Sequence, residues 1–423
     1  MIAEFRDTFN AQYRSESYLH LLAELESICG TTVEFRVAET PVFLAETLLA
    51  EMAHSGAMLT KRLIECPDYI AAARNSIPRG YSVDGVSAHP NFLTADFALI
   101  RLENGELAPR LVELQAFPSV FAYQLALNRC YADAYNLPAS LQTIMEGLTE
   151  EAFLAKFRET ILGKHEPENV VLTEVDPFHQ KTLPDFLLTR KALGIPILDI
   201  TTLIPVGNKL HYRNSNGLLV PIHRIYNRAI ADEIMARKIE LQFDLTAPWE
   251  VEWAGHPNWY FLISKFALPW LSGNCGSVPA AESVVPPAVF LDDFLDGNGF
   301  SKMKTAGVQL EEGPDSVYDD LLLKPLFSFA GKGIQFSPSR RELLSIPQSE
   351  RKNYLLQKRM HFEPTIRTPH GMTQAEIRIL YLWPEGGELT PTLSLVRLGR
   401  GKMMGVDHNR NQEWVGASAA FWI

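Results

Sequence analysis

Two lysines and two glycines mark a stretch in the last quarter of the chain that is suited to bind an anion. A short apolar run ends in Lys324, and the loop after it carries Gly331, Lys332 and Gly333. Glycines let the backbone approach a ligand and turn N–H groups toward an anion, and lysines add positive charge. No Gly-Lys-Ser/Thr follows, so the loop is not a P-loop. The pattern predicts a phosphate cradle between two strands, although a glycine hairpin with surface lysines is its commoner origin.

Three oxygen-bearing side chains earlier in the chain are spaced to meet at one end of a hairpin. Two apolar strands flank the turn 103–106; Asp96 opens the first, and Glu113 and Gln115 close the second. Antiparallel strands bring these ends together, and residues two apart on a strand share a face. Oxygen ligands suit Mg²⁺. The sequence therefore predicts a magnesium site. The alternative is that Asp96 caps a strand edge and Glu113 faces solvent. That alternative is the better explanation of a single carboxylate, but not of the three side chains together.

Lys265 and Arg224 are further candidates for anion contacts. Lys265 stands in the apolar, tryptophan-rich stretch 258–271, where a lysine is costly unless it meets an anion or reaches water. We therefore expect it to contact a phosphate. Arg224 and Arg228 belong to a predicted strand and are suited to hold a substrate carboxylate with two hydrogen bonds each. Surface ion pairing is an alternative of equal weight for both arginines.

The predicted secondary structure that positions these residues changes along the chain. Residues 1–75 show helical spacing and serve as a scaffold. A strand over 169–174, a helix over 181–193 and a strand over 194–199 predict a βαβ unit, which binds ligands at the carboxyl ends of its strands. A turn at 214–217 and a returning strand over 221–228 predict a hairpin.

The last part of the chain is predicted to be rich in strands. A strand over 353–360 ends in polar residues, where Met360 is a candidate to lie beside an adenine ring. Strands over 374–383 and 393–398 carry Glu376, Arg378 and Arg397 among apolar residues. Charges that alternate with apolar residues usually face solvent, so contact with a nucleotide is the second possibility here.

Composition limits the class of protein. The 423 residues, 46% hydrophobic and 21% charged, suit a soluble globular protein of two or three lobes. The formal charge of −11 argues against nucleic acid as the main partner, because phosphate backbones need a concentrated basic face. No apolar run approaches the ~20 residues that span a bilayer, so we expect a cytoplasmic protein without membrane contact. The four cysteines, which predict reduced and mostly buried thiols, are Cys29, Cys66, Cys130 and Cys275.

The order of these parts resembles that of the circularly permuted ATP-grasp ligases, most closely the glutathionylspermidine synthase-like group, with eukaryotic glutathione synthetase as a more distant relative. Asp96 with Glu113-Leu114-Gln115 is similar to that family's metal-binding Asp and Glu-x-Asn. The βαβ unit and the Arg224 strand are similar to its substrate half. The block 264–271, Ser-Lys-Phe-Ala-Leu-Pro-Trp-Leu, is similar to Asn-Lys-x-x-Leu-Pro-x-Leu, whose lysine meets ATP phosphate. Lys324-Pro325, the glycine loop and Gln357 resemble the second lysine, the phosphate-covering loop and the adenine hinge.

The resemblance implies an α/β (α+β) fold, an ATP-grasp that is circularly permuted and preceded by a βαβ substrate domain. It divides the chain into helices plus the metal-ligand hairpin (1–160), the substrate domain (161–240) and the nucleotide-binding lobes (241–423). It implies ATP and Mg²⁺ as cofactors, with Asp96, Glu113 and Gln115 on the metal. The expected nucleotide contacts are Lys265, Lys324, Ser328, Gly331, Lys332, Gly333, Gln357 and Met360. The expected catalytic residues are Arg79, Arg224 and Arg378.

The chain departs from the family pattern at the expected metal site. Gln115 replaces the usual Asn, and Thr94 stands where an arginine is expected, which makes Arg79 a candidate substitute. Asp407 and Asn409 form a second Asp-x-Asn near the end of the chain, where we favour a surface turn.

If the resemblance holds, the protein transfers the γ-phosphoryl group of ATP to a small-molecule carboxylate, and an amine then attacks the acylphosphate to form an amide. Two alternatives stay open. One is a nucleotide-binding protein that does not ligate, and the other is a kinase of the same fold that phosphorylates a small acceptor. The sequence specifies neither the two substrates nor the oligomeric state.

Overall fold

The computed structural model of the protein describes residues 2–273, 284–328, 331–401, 404 and 411–423. Cys275, Asp407 and Asn409 lie outside the described residues. The helices of the described part are α1 (Ala3–Gln12), α2 (Ser15–Cys29), α3 (Glu46–Ile64), α4 (Pro67–Ser76), α5 (Phe121–Ala134), α6 (Glu150–Leu162), α7 (Leu183–Leu193), α8 (Ala231–Ala236), α9 (Trp259–Leu262), α10 (Ala267–Leu271), α11 (Leu291–Leu295), α12 (Asn298–Thr305), α13 (Arg340–Ser345) and α14 (Gln348–Arg351).

The strands of the described part form four sheets. They are β1 (Val42–Leu44), β2 (Phe92–Arg101), β3 (Leu107–Gln115), β4 (Val170–Glu174), β5 (Ile197–Asp199), β6 (Ile204–Val206), β7 (Lys209–Arg213), β8 (Leu219–Pro221), β9 (Arg224–Asn227), β10 (Glu252–Ala254), β11 (Ala288–Phe290), β12 (Leu321–Pro325), β13 (Gln335–Phe336), β14 (Tyr354–Lys358), β15 (Pro364–Thr368), β16 (Gly371–Leu382), β17 (Thr390–Gly399) and β18 (Gly416–Trp422). The architecture is therefore mixed α/β, as the sequence predicts.

The largest sheet joins distant parts of the chain. Its strand order is β1-β18-β17-β16-β2-β3, and β15 also pairs with β16. The predicted hairpin of β2 and β3 is confirmed, and Gly105 forms its turn with a φ of +86°. β2 also pairs with β16, which places Asp96 directly opposite Arg378. The early hairpin and the late strands thus form one continuous surface.

The two faces of this sheet differ. One face is apolar along its length and packs against α3 through residues such as Ala95, Phe97 and Ile377. Close packing requires glycine in α3, because a Cβ at Gly56 would lie 2.2 Å from the Tyr381 hydroxyl oxygen. On the opposite face, apolar residues at one end, including Phe92, pack in a core with residues of α5, and charged residues lie farther along the same strands. These charges therefore lie on a face that other elements cover.

The second sheet contains the predicted βαβ unit. Its order is β10-β9-β4-β5 and all three pairings are parallel, so the unit of β4, α7 and β5 is confirmed. The prediction of one returning strand over 221–228 is wrong. β8 ends at Pro221 and pairs with β7 in a separate sheet of β6, β7 and β8, whereas β9 joins the parallel sheet.

The third sheet, of order β11-β14-β12-β13, carries the predicted lysine strand. Its four strands are antiparallel, and the two strands that flank the glycine loop are β12 and β13, as predicted. Leu321 and Leu323 point to a small core with α11 and α12. Lys324 alternates with them and points to the other face.

The remaining predictions concern the domain borders and the cysteine thiols. The parallel sheet includes β10, which lies beyond residue 240, and the predicted domain borders stay a prediction. Cys29 and Cys130 are buried and free, as expected, and Cys66 is partly buried. No helix in the part of the chain that the structure covers is long and apolar enough to cross a membrane.

Candidate functional site

The charged face of the large sheet is built by strand register. Residues directly opposite each other on paired strands share a face, as do residues two apart. Asp96 on β2 lies opposite Glu113 on β3 and Arg378 on β16, and Glu376 on β16 lies opposite Arg397 on β17. Three acidic and two basic side chains from four strands therefore meet on one surface.

Asp96 is held by two arginines. Its two carboxylate oxygens accept hydrogen bonds from Arg378 Nε at 2.5 Å and Arg378 Nη2 at 2.6 Å, and Arg397 Nη1 lies 3.4 Å from Oδ2. Burial opposes ionisation of Asp96, but the two guanidinium charges outweigh it and keep the pKa of the carboxyl below its usual value. Asp96 is therefore an anion that already has partners, and Arg378 does not face solvent.

Glu376 is the buried acid that the sequence did not single out as a ligand. It forms an ion pair with Arg397, so that one guanidinium is shared between two carboxylates. Burial raises the pKa of Glu376 above its usual value in spite of Arg397. In the sequence, a buried acid in the middle of a strand is a charged residue among apolar ones. A strand with one face in solvent has the same pattern, so the sequence does not distinguish the two.

Lys265 contacts the hairpin of β2 and β3 directly. Its Nζ lies 3.2 Å from Glu113 Oε2 and donates to the backbone oxygen of Ser328 at 2.6 Å. The Gln115 side-chain amide donates to Glu113 Oε1 at 2.7 Å. Gln115, Lys265 and Ser328 also line one pocket together with Tyr260. The buried Lys265 has its anionic partner in a hairpin that lies much earlier in the sequence, as its apolar surroundings require.

Lys324 has no such partner. It is 2% exposed, and no hydrogen bond or ion pair in the described part of the chain reaches its Nζ. Burial lowers the pKa of Lys324 to about 8, a net shift to which the nearby Lys265 contributes and which Glu113 and other acids oppose. A buried amine within the field of these acids, yet bonded to none of them, is ready for an additional anion.

Gln357 lies on the same face as Lys324. Lys324 pairs with Leu355 and Leu322 with Gln357, which places both polar side chains on one side of the third sheet. Gln357 is fully buried, and neither its amide oxygen nor its amide nitrogen has a hydrogen-bond partner among the described residues. Such a group costs free energy until it is satisfied, so it also marks room for a ligand.

Other buried polar atoms around this surface are unpaired in the same way. Within the described residues, no hydrogen bond reaches the hydroxyl oxygens of Thr94, Tyr260 and Ser328. Thr94 lies opposite Gln115, and the other two line the pocket of Lys265. Because these three hydroxyls lie beside Lys265 and the acidic groups, they are available to a ligand that binds there.

The glycine loop stands beside this pocket. Gly331 and Gly333 have φ angles of +72° and +79°, which favour glycine. Lys332 is exposed and lies near Asp232 of α8. Burial raises the pKa of Asp232, and the positive charge of Lys332 opposes this rise. Phe329 and Ala330 lie outside the described residues. The predicted loop therefore supplies Ser328 to the pocket, whereas Lys332 points toward α8.

Three predicted site residues are not joined to this surface. Arg224 is buried in the parallel sheet, where it donates to the backbone oxygens of Ile161 and Thr160 and pairs with Glu252 and Glu385. All three of its nitrogens already have partners, which disfavours the expected contact with a substrate carboxylate. Arg79 is exposed in the turn after α4, and Met360 is partly exposed beyond β14. The described contacts connect neither of them to the charged face.

The expected metal site fits in part. Among the described residues, no three histidine, cysteine or acidic side chains are arranged to hold a metal ion. Asp96 has both oxygens bonded to arginine and does not fit a metal ligand. Glu113 and Gln115 fit better, because both side chains are only partly buried and lie beside the pocket, although both Glu113 oxygens already have partners, Gln115 at Oε1 and Lys265 at Oε2, which a metal ion would replace.

The fold has counterparts among solved structures. It is similar to the apo form of a glutathione synthetase-like effector from Globodera pallida, with a TM-score of 0.52, 11% identity and coverage of 96% of both chains. A candidate γ-glutamylcysteine synthetase from Methylobacillus flagellatus aligns over 86% of this chain and 85% of that chain, with 13% identity and a TM-score of 0.34. No family model and no curated protein sequence matches this chain. The first likeness shows a glutathione synthetase-like fold.

Proposed function

We propose that this protein is an ATP-dependent ligase that joins a small-molecule carboxylate to an amine through an acylphosphate. The observation that carries the proposal is Lys324, a buried and unpartnered amine that faces the acidic groups of a distant hairpin. The glutathione synthetase-like fold supports the proposal. The order of the parts, with the hairpin before the lysine strand, supports a circularly permuted ATP-grasp.

Each of the chain's own groups has a role in this proposal. Lys324 and Lys265 bind the phosphates, and Lys265 exchanges the Ser328 oxygen for a phosphate oxygen. Arg378 and Arg397 stabilise negative charge that develops during phosphoryl transfer, and Asp96 orients Arg378. Gln357 uses its unpaired amide to bind the nucleotide. The loop from Phe327 to Gly333 keeps water away from the acylphosphate.

Glu113 and Gln115 are the residues that would hold Mg²⁺. When bound, Mg²⁺ neutralises phosphate charge and orients the phosphates for transfer. Asp96 is left out of this assignment because it is buried and both its oxygens are bonded to one guanidinium, whereas Glu113 is partly exposed and would exchange its contacts with Gln115 and Lys265 for the ion.

The proposal is tested by ADP release. The protein is mixed with Mg·ATP and panels of small carboxylates and amines, and ADP and amide products are measured. We expect ADP release only when both substrates are present, and we expect Lys324→Met to reduce it by at least about a hundredfold because one phosphate charge is no longer neutralised. Lys352→Met, at an exposed position, is the matched control. Turnover by Lys324→Met at the parent rate would show that the lysine has no such role.

A nucleotide-binding protein without ligase activity is the second candidate. It is favoured by one observation, the bidentate contact of Asp96 with Arg378, which removes an acid from the expected metal site. Calorimetry distinguishes the two functions, because this candidate binds Mg·ATP but releases no ADP with any substrate pair. A stable phosphorylated acceptor in place of an amide would instead identify a kinase.

A further inference from the structure

A separate cavity lies where the loop after α4 meets the segment that leads into β10. Its volume is about 180 Å³. None of its lining residues belongs to the charged face described above. The residues that line it are Val83, Asp84, Gly85, Ala247, Pro248, Trp249, Val251 and Trp253.

The aromatic walls of this cavity are fixed in place. The Trp249 indole N–H donates to the backbone oxygen of Asp244 at 2.7 Å, and its ring contacts Phe243 edge-on with centroids 5.8 Å apart. The Trp253 ring contacts His256 edge-on at 5.9 Å. Two indoles that are held by their neighbours present rigid aromatic surfaces to a ligand.

The loop that closes the cavity is also held. The Asn258 side chain forms two hydrogen bonds with the backbone of Val83, both 2.9 Å long. The His256 ring nitrogen Nε2 lies 3.0 Å from the backbone oxygen of Asp84. Burial lowers the pKa of His256, so the ring stays neutral at neutral pH and adds no positive charge near the cavity.

Asp84 is the single charged residue in the lining. Its carboxylate has no hydrogen bond and no ion pair with any residue that the structure describes, and no lysine or arginine lines the cavity. Aromatic faces together with one carboxylate attract an organic cation. A methylated ammonium ion fits better than a primary one, because a primary ammonium needs acceptors for three N–H groups and the lining side chains provide one carboxylate.

We propose that this cavity binds a methylated ammonium ion of about the size of choline, with the methyl groups against Trp249 and Trp253 and the positive charge beside the Asp84 carboxylate. The site is independent of the proposed ligase site, since the two share no residue. It gives the protein a second small-molecule ligand besides the nucleotide.

The experiment is a calorimetric titration of the full chain with choline and with 3,3-dimethylbutan-1-ol, its neutral analogue of the same shape. We expect choline to bind and the neutral analogue to bind at least about tenfold more weakly, because it lacks the charge that the indoles and Asp84 attract. Saturating Mg·ATP should leave choline affinity unchanged. Equal affinity for the two compounds, or no binding of choline at millimolar concentration, would overturn the proposal.

Variants assign the contacts. Asp84 is exposed, so Asp84→Asn should fold normally, and we expect it to weaken choline binding about fivefold. Trp249→Leu should weaken it about tenfold or more. Glu250→Gln is the matched control, since Glu250 lies next to Trp249 but bonds Asn208 outside the cavity. Unchanged choline affinity in Asp84→Asn would contradict the site, and so would a loss in Glu250→Gln as large as that in Asp84→Asn.

Discussion

The parallel sheet and the charged face of the large sheet both bury positive charge, but they treat it differently. Arg224 on β9 donates to two backbone oxygens and two carboxylates, and Arg228, directly after β9, pairs with the buried Asp185 at 2.6 Å. On β12, Lys324 is equally buried and bonds no described residue. Removing the partner of a buried, ion-paired cation destabilises the fold, whereas a buried cation without a bonded partner is held in place for a ligand.

Removing one partner of the buried pair of Arg228 and Asp185 gives the largest expected effect. Arg228→Met leaves the buried carboxylate of Asp185 uncompensated, and we expect a loss of about 4 kcal/mol in the free energy of unfolding, measured with urea. The double variant Arg228→Met/Asp185→Leu should recover most of this loss, because it removes the unpaired charge. Arg237→Met, which breaks a surface pair with Glu233, is the control and should change stability far less. A mild effect of Arg228→Met would remove the distinction between the two regions.

The opposite sign is expected on β12. The pKa of Lys324 is lowered from 10.5 to about 8, so keeping its charge in the folded protein costs about 3 kcal/mol below pH 8. Lys324→Met should therefore stabilise the apo protein by about this amount at pH 7. The gain should shrink as the pH rises from 8 toward 10.5, because the folded parent releases the proton before the unfolded chain does. Urea denaturation of both proteins across this range tests the sign, and destabilisation at pH 7 would mean that Lys324 has a partner after all.

In the parallel sheet, the buried acid Glu174 differs from the buried arginines Arg224 and Arg228. Glu174 ends β4, is buried, and accepts a hydrogen bond from the backbone N–H of Val175. Burial raises the pKa of Glu174 from 4.5 to about 7. The folded state therefore loses stability as the pH rises from 4.5 to 7, and the cost is complete above pH 7.

Glu174→Gln tests this cost with little change in shape. We expect equal stability of parent and variant near pH 4.5 and a variant that is more stable by about 3 kcal/mol at pH 8. Thermal unfolding at both pH values gives the difference. A constant difference at all pH values would assign the effect to packing instead of ionisation.

The sequence predicts local geometry better than it predicts partners. The alternation of apolar and polar residues and the turn at Gly105 are enough to place Asp96 beside Glu113, and an apolar run that ends in a lysine is enough to predict β12. By contrast, Arg224 looks like a ligand contact in the sequence because its partners are remote. Glu385 is 161 residues away, and Thr160 contributes only a backbone oxygen.

The same limit explains why Arg378 was predicted as a catalytic residue without its ion pair. The contact with Asp96 spans 282 positions and depends on β2 pairing with β16. Strand order in a sheet built from both ends of a chain is not encoded in any local pattern. Unpaired atoms, such as those of Gln357, are visible only once all their neighbours are known.

The smallest expected effect concerns Gln357 and separates ligand binding from folding. Its buried amide has no described partner, so Gln357→Leu should raise the free energy of unfolding of the apo protein by about 1 kcal/mol. If the amide binds the nucleotide, the same variant should lose ATP affinity by about tenfold, and added Mg·ATP should then stabilise the variant less than the parent. Thermal unfolding with and without Mg·ATP measures both quantities. A less stable apo variant with unchanged ATP affinity would make Gln357 a structural group, like Arg224 and Arg228.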